Sequence, residues 1–367
     1  MHPTSQSSRF HQAGFSLVEL MVGLAIGMLA TIVIIQVMGV FEGQRRSTSG
    51  SADAQTNGGI ALYSITRELQ MAGYPLLPIV DSPLECASIS INGAAPTTTL
   101  DRLTPVSVVD GAVAAGVNPS DRITIRFGTT LLGGAATQVT SLVNGDEAVV
   151  LSNLGCQKGD ASLITQGTSC ALSVVADVLT VATPLTYKVK LANATLAASP
   201  NNLACLGPWN EITYQVNQAS GNLERVSVVN GANTTVPPAL PSVAGVVNLQ
   251  VQYGISATAS SNQVTAWVDP SGATWAAPTV ANRNRIKAIR IAIVARNAKM
   301  EPTAVTTACS SLTAAAPTGL CAWAGSVASP APAIDLSPGD ANWARYRYRV
   351  FETIVPLRNV IWAKDTL

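Results

Sequence analysis

A single carboxylate interrupts the longest apolar run in this chain. Glu19 is the only charged residue between Phe15 and Phe41. An acid inside lipid is costly unless it meets a cation or a polar boundary, so its chemistry is ion pairing. A partner lies close by in the sequence. Ala13-Gly14 forms a small-residue boundary just before the run, and a cut after Gly14 would free the α-amine of Phe15, four residues from Glu19. That ammonium and the carboxylate could meet within one subunit or between neighbours. The second arrangement gives packed helices a docking register. The plainer alternative seats Glu19 at the level of the lipid headgroups.

Other reactive groups are sparse. The two histidines, His2 and His11, both precede Gly14 and would be lost with a leader. A chain cut there has no Ser-His-Asp or Cys-His arrangement and no histidine metal site. There is no G-x-x-x-x-G-K-[ST] phosphate loop and no G-x-G-x-x-G after a strand. Gly145-Asp146-Glu147 and Gly339-Asp340 are acidic, but they read as turns and lack the EF-hand pattern. We therefore expect no catalytic residue, no metal and no cofactor, and a chain that is not an enzyme.

Six cysteines, Cys86, Cys156, Cys170, Cys205, Cys309 and Cys321, are spread outside the apolar run with no C-x-x-C pair. An even, dispersed set suits disulfides in an oxidising compartment rather than zinc. The closest pairs favour Cys156–Cys170 and Cys309–Cys321, leaving Cys86–Cys205, one of many connectivities that six cysteines allow.

The elements that must position Glu19 begin with the apolar run itself. Phe15 to Val40 is about 26 residues, a helix of about 39 Å, long enough to cross a bilayer. Arg9 precedes it while Arg45 and Arg46 follow, so flanking charge points both ways on orientation. Helical spacing returns at Leu62, Ile65, Leu69 and Ala72, and Gly73-Tyr74-Pro75 supplies a stop. Gly50, Gly58 and Gly59 disfavour helix, which makes residues 43–58 a candidate break.

The rest of the 367-residue, 37.9 kDa chain carries only 12% charged residues and a net charge of +1, which argues against a general nucleic-acid binder. Period-two alternation marks strands at Ile123/Ile125/Phe127, Ile212/Tyr214/Val216, Val247/Leu249/Val251/Tyr253, Ile289/Ile291/Ile293 and Tyr346/Tyr348/Val350. Asn144-Gly145-Asp146 and Ser220-Gly221-Asn222 are turn signals. Arg345, Arg347 and Arg349 would line one strand face as a basic ridge, reading more as edge-protecting charge than as a DNA contact. Pro237–Pro241 and the Ala/Pro/Ser-rich stretch 314–338 are candidate subdomain linkers, the second also readable as a long loop clipped by a disulfide. The fold class is α+β: a long N-terminal helix and a β-rich antiparallel head, with room for two subdomains. The divisions are 1–14, a leader; 15–41, a membrane and assembly helix; 42–74, its amphipathic continuation; and 75–367, the head.

Gly14-Phe15-Ser16-Leu17-Val18-Glu19-Leu20 resembles the G-F-[ST]-L-x-E-[LM] prepilin signature. Residues 60–74, 285–296 and 346–359 resemble segments of PilW-type minor pilins of type IV pili. The resemblance implies cleavage after Gly14, N-methylation of Phe15 and an assembly glutamate at Glu19. Two features depart from the common pattern: Ala13 replaces the usual basic residue, and the apolar run has no proline. The implied partners are a prepilin peptidase, other minor pilins, the major pilin, the inner membrane before assembly, and a tip adhesin. DNA binding is not expected from the near-neutral charge, although the role that the resemblance implies extends to DNA uptake. The implied course runs from a single-pass inner-membrane subunit with a periplasmic head to a surface pilus, at its tip. There it would prime or cap assembly in twitching motility and adhesion. Two rivals stand beside it: a minor pseudopilin of a type II secretion system, and a membrane-anchored ligand-binding receptor.

Overall fold

The computed structural model describes residues 16–76, 86–96, 103–111, 118–130, 134–193, 202–229 and 240–362. Gly14, Phe15, the two histidines and most of the Pro237–Pro241 segment lie outside the described residues. Helix α1 (Leu17–Leu69) has no interruption at residues 43–58. Its residues through Gly50 form one compact unit, and Ser51 onward belong to a second, the head.

Within the head, α1 buries a stripe of Ala54, Gly58, Ala61, Ile65 and Leu69, at spacings of four, three, four and four. That stripe forms because 3.6 residues per turn return positions three and four apart to one face. Small residues open the stripe and large ones close it. Gly73, at φ +77°, ends the helical segment, and its N–H donates to the Arg126 carbonyl at 2.8 Å. A left-handed residue of this kind is tolerated best by glycine.

Sixteen strands are described, in three sheets. Four strands order as β14 (Val264–Val268), β13 (Val246–Ser256), β15 (Ile286–Met300) and β16 (Tyr346–Pro356). Five order as β12 (Leu240–Ala244), β11 (Asn222–Val229), β10 (Asn210–Asn217), β3 (Arg122–Phe127) and β2 (Val106–Val109). Short helices α2 (Gly272–Trp275) and α3 (Val280–Arg283) lie between β14 and β15, and α4 (Arg358–Trp362) follows β16. Ala61, Ile65 and Leu69 of α1 share one core with Ile123, Ile125, Ile212 and Tyr214 of the five-stranded sheet and Leu249, Val251, Ile289, Ile291 and Ile293 of the four-stranded one. Ile65 and Leu69 are fully buried, each worth at most about 1.5–3 kcal/mol.

The alternation at 247–253 is corrected at one position. A bulge between Val246 and Asn248 places Val246 in the helix-facing core and sends Val247 to the opposite face. That outer face is covered by the stretch 301–345, where Leu320, Trp323, Ala331, Ile334 and Leu336 pack on Val247, Ala292 and Val294. The Ala/Pro/Ser-rich stretch is thus a cover over the sheet rather than a linker, and it explains why β13 is buried on both faces.

The third sheet holds β1 (Ser88–Ile91), β7 (Ser169–Ala182), β6 (Ala161–Gln166), β9 (Asn202–Gly207), β4 (Ala136–Val143), β5 (Glu147–Val150) and β8 (Leu185–Leu191) in that order. Long β7 pairs with β6 along its first half and with β8 along its second, so six of the strands close into a ring. Closure removes open edges. One core fills the ring and another lies on its outer face. All pairings are antiparallel except β1 on β7.

Candidate assembly site

The first described turn of α1 forms a reciprocal cap. The Ser16 N–H donates to Glu19 Oε2 at 3.1 Å, and the Val18 N–H donates to Ser16 Oγ at 3.3 Å. The Ser16 carbonyl accepts the first helical bond from the Leu20 N–H at 3.2 Å. A helix start leaves four backbone donors without intrahelical partners, and S-x-x-E satisfies two of them at once. The carboxylate also sits at the positive end of the helix dipole. Glu19 is thereby held at the rim of the helix.

The surface around it is apolar. From Leu17 to Phe41 the large hydrophobic side chains are 47–77% exposed. This part of α1 has a mean hydropathy of 2.5 over its most apolar window, none of which is buried. Such a surface needs lipid or other apolar helices around it. Glu19, Gly23, Gly27 and Thr31 recur every four residues along one shallow groove, and the Thr31 hydroxyl is turned back onto the Gly27 carbonyl. Small residues on such a face allow close helix approach.

In the head, polar contacts fasten the second half of α1. Arg225 of β11 donates from Nε and a terminal nitrogen to Glu68 Oε1, at 3.1 and 3.0 Å. Burial and the neighbouring Glu68 carboxylate push the Tyr214 phenol above its ordinary range. The Asn359 amide of α4 donates to the Met71 and Ala72 carbonyls at 3.3 and 3.0 Å. These are open carbonyls just beyond the helix end. Segments 60–74, 285–296 and 346–359, far apart in sequence, thus meet around one core.

The cysteines pair differently from the spacing-based expectation. The bonds are Cys86–Cys170, Cys156–Cys205 and Cys309–Cys321; only the last agrees. Cys170 faces the core outside the ring with Cys86, while Cys205 faces the ring interior with Cys156. The sheet itself separates Cys156 from Cys170.

The acidic turns are committed internally. Glu147 pairs with Lys188 at 2.7 Å, and Asp340 with Arg296 at 3.2 Å. No cluster of three or more metal-ligating side chains occurs among the described residues. The basic ridge is smaller than expected. Arg345 lies in a 3-10 turn before β16 and donates to the Glu301 carbonyl, and Arg347 pairs with the Glu301 carboxylate at 2.9 Å. The sequence reading missed the Ser16–Glu19 cap, although S-x-x-E before an apolar run is its signature. It also missed Arg225 and Asn359, for which no local signal exists.

Residues 213–359 match the family model of type IV pilus-assembly protein W, PilW, and residues 9–35 match the prokaryotic N-terminal methylation motif. No curated protein matches the chain. Among solved structures, a type IV-like pilin from Thermus thermophilus aligns over 83% of this chain and 97% of its own, at 13% identity and a TM-score of 0.33. A TM-score that low carries no weight for the fold.

Proposed function

We propose that this chain, a type IV minor pilin of the PilW kind, primes or caps pilus assembly from the filament tip, together with other minor pilins and the major pilin. A prepilin peptidase cuts after Gly14 and methylates Phe15. Residues 15–41 then hold the subunit in the inner membrane, single-pass, with residues 75–367 as a periplasmic head on the continuation 42–74. During assembly the helix leaves lipid and packs among other pilin helices, so its apolar area never meets water. Glu19 pairs with a neighbour's N-terminal ammonium and sets the register. A tip adhesin is a further partner, and motility and adhesion follow from the filament. The head's role is structural rather than enzymatic.

One observation carries this reading: an exposed apolar first half of α1, with a lone carboxylate at its rim, precedes a disulfide-stapled β head. The PilW match across β10 to α4 favours the pilus over a type II secretion pseudopilin, which shares the N-terminal motif. The test is mass analysis of the N-terminus of protein recovered from sheared pili. It should begin at a methylated Phe15. A chain beginning at Met1, or one absent from filaments, would overturn the reading. Gly14→Val should retain the leader, because a larger residue does not fit a pocket suited to glycine.

A further inference from the structure

We infer that the slot between the head portion of α1 and the start of β16 binds the phosphate of an anionic phospholipid headgroup through Arg349 and Arg347. The inference rests on the reading of residues 15–41 as a membrane helix. Strand alternation puts Arg347, Arg349 and Phe351 on one face of β16. Phe351 lies on Gly58, and earlier in α1 Ala54 and Ser51 line one slot with the two arginines. A methyl and a hydroxyl are all that these two helix residues place there, which leaves a cavity of about 230 Å³. Arg349 is exposed and makes no hydrogen bond or ion pair among the described residues. Arg347 gives only its Nε to the Glu301 carboxylate, at 2.9 Å, while Arg345 gives its Nε to the Glu301 carbonyl. Among the described residues, Glu301 is thus the one acid paired with this row of three arginines, and no carboxylate lines the slot. The Ser51 hydroxyl is also uncommitted among the described residues. Guanidinium forks beside a hydroxyl donor make an oxyanion site suited to phosphate. Two further features choose a lipid as its source. Val305 at the slot and Met300, paired with Tyr346 at the same end of β16, are 40% and 41% exposed. Apolar side chains beside arginines suit the boundary between headgroups and acyl chains. Ser51 follows Phe41 by ten residues, so connectivity alone keeps the slot within about 35 Å of the apolar run. That tether presents headgroups to the slot at high effective concentration. Phosphate contact there holds the head at the bilayer until the subunit leaves for a filament.

The test titrates the detergent-solubilised full chain, by calorimetry, with short-chain phosphatidylglycerol, with phosphatidylcholine of the same chain length and with inorganic phosphate. Phosphatidylglycerol should bind most tightly, because phosphatidylcholine brings its own cation to the arginines. Arg349→Gln should weaken that binding at least about tenfold, the loss of one charge-assisted phosphate contact. Arg349 gives up no contact with the described residues, so the variant's unfolding midpoint without lipid should equal that of wild type. Arg122→Gln, which removes the same charge from the exposed start of β3, should leave lipid affinity unchanged. Wild-type affinity in Arg349→Gln, or an equal loss in Arg122→Gln, overturns the inference. Inorganic phosphate binding as tightly as phosphatidylglycerol makes free phosphate the ligand and also overturns it. So does an Arg349→Gln chain that keeps its lipid but enters pili poorly, which assigns the arginine to an acid of a neighbouring subunit. Wild-type chain recovered in the soluble fraction of cells instead overturns the reading of residues 15–41, so the two failures are distinguishable.

Discussion

The Phe351 ring lies directly on Gly58, with no room for a side chain between helix and sheet. A Cβ added to Gly58 would stand 2.9 Å from Phe351 Cζ and closer still to Cδ2 and Cε2. Phe351 belongs to β16 and pairs with Ile293, so the sheet edge fixes its place. The contact gives Gly58 a purpose that helix propensity alone would deny.

Gly58 and Gly59 should therefore respond oppositely to the same substitution. In a free helix, Gly→Ala gains up to about 1 kcal/mol. Nothing lies within 4 Å of a Cβ on Gly59, so Gly59→Ala should keep that gain and raise Tm by about 2–4 °C. Gly58→Ala should lose about 1–3 kcal/mol to overpacking despite the same propensity gain. Thermal unfolding of the detergent-solubilised full chain measures both. Equal shifts for the two variants would dismiss the contact, and Phe351→Ala should partly rescue Gly58→Ala.

The Glu68–Arg225 pair should matter mainly through what its loss leaves behind. The Glu68 side chain is 15% exposed, against 35% for Arg225. Arg225→Met would strand a mostly buried carboxylate, at about 1–3 kcal/mol. Glu68→Gln retains an acceptor for the same guanidinium and should cost less. Denaturant midpoints of the two single variants and the double variant would apportion the coupling.

Stability should depend on pH through Asp121. Its carboxylate accepts N–H bonds from Gly111 and Val251, at 3.0 and 2.7 Å. Burial outweighs those bonds and raises its pKa to about 7, with Asp110 and Asp269 adding to the rise. The folded state therefore holds this proton more tightly than the unfolded chain, whose carboxylate titrates near ~3.9. The stabilising contribution is complete below that value. It is lost as pH rises to about 7, by up to about 1.4 kcal/mol per pH unit. Asp121→Asn should flatten that part of the profile; an unchanged slope would assign it to other groups.

The disulfides should rank by the loops they close. Cys86–Cys170 spans 84 residues and Cys309–Cys321 spans 12. Chain-entropy reasoning assigns about 4.5 kcal/mol to the first and about 3 kcal/mol to the second. Paired Cys→Ser variants, followed by chemical denaturation, should show that order. Non-reducing peptide mapping should recover Cys86 with Cys170 and Cys156 with Cys205. A Cys156–Cys170 peptide would contradict the sheet geometry.

Much of the scaffold was legible because the relevant signals are local. The apolar run ahead of Phe41 and the spacing of Ile65, Leu69 and Ala72 announce α1. Strands β3, β10 and much of β16 alternate because each has one dominant buried face, and β15 alternates in size, with isoleucines toward the helix-facing core and Ala292 and Val294 under the 301–345 cover. The ring was not legible. Strand β6 is buried at Ala161, Ser162, Leu163, Ile164 and Thr165 in succession, because cores press on both of its faces and erase the period. The continuity of α1 through Gly50 and Gly58 was also hidden. Propensity counts a missing side chain as a loss, and does not register the aromatic ring that needs its absence.

The amino-acid sequence by itself determined the anchor, its lone acid at Glu19, the S-x-x-E start and the α+β class, because hydropathy, capping and period depend on residues within a few positions of one another. Tertiary structure alone decided which cysteines pair, where Phe351 meets the helix, and how Glu68 finds Arg225. Those outcomes depend on which face of a pleated strand each side chain occupies, and a bulge or a closing ring resets that face without leaving a mark in the local sequence.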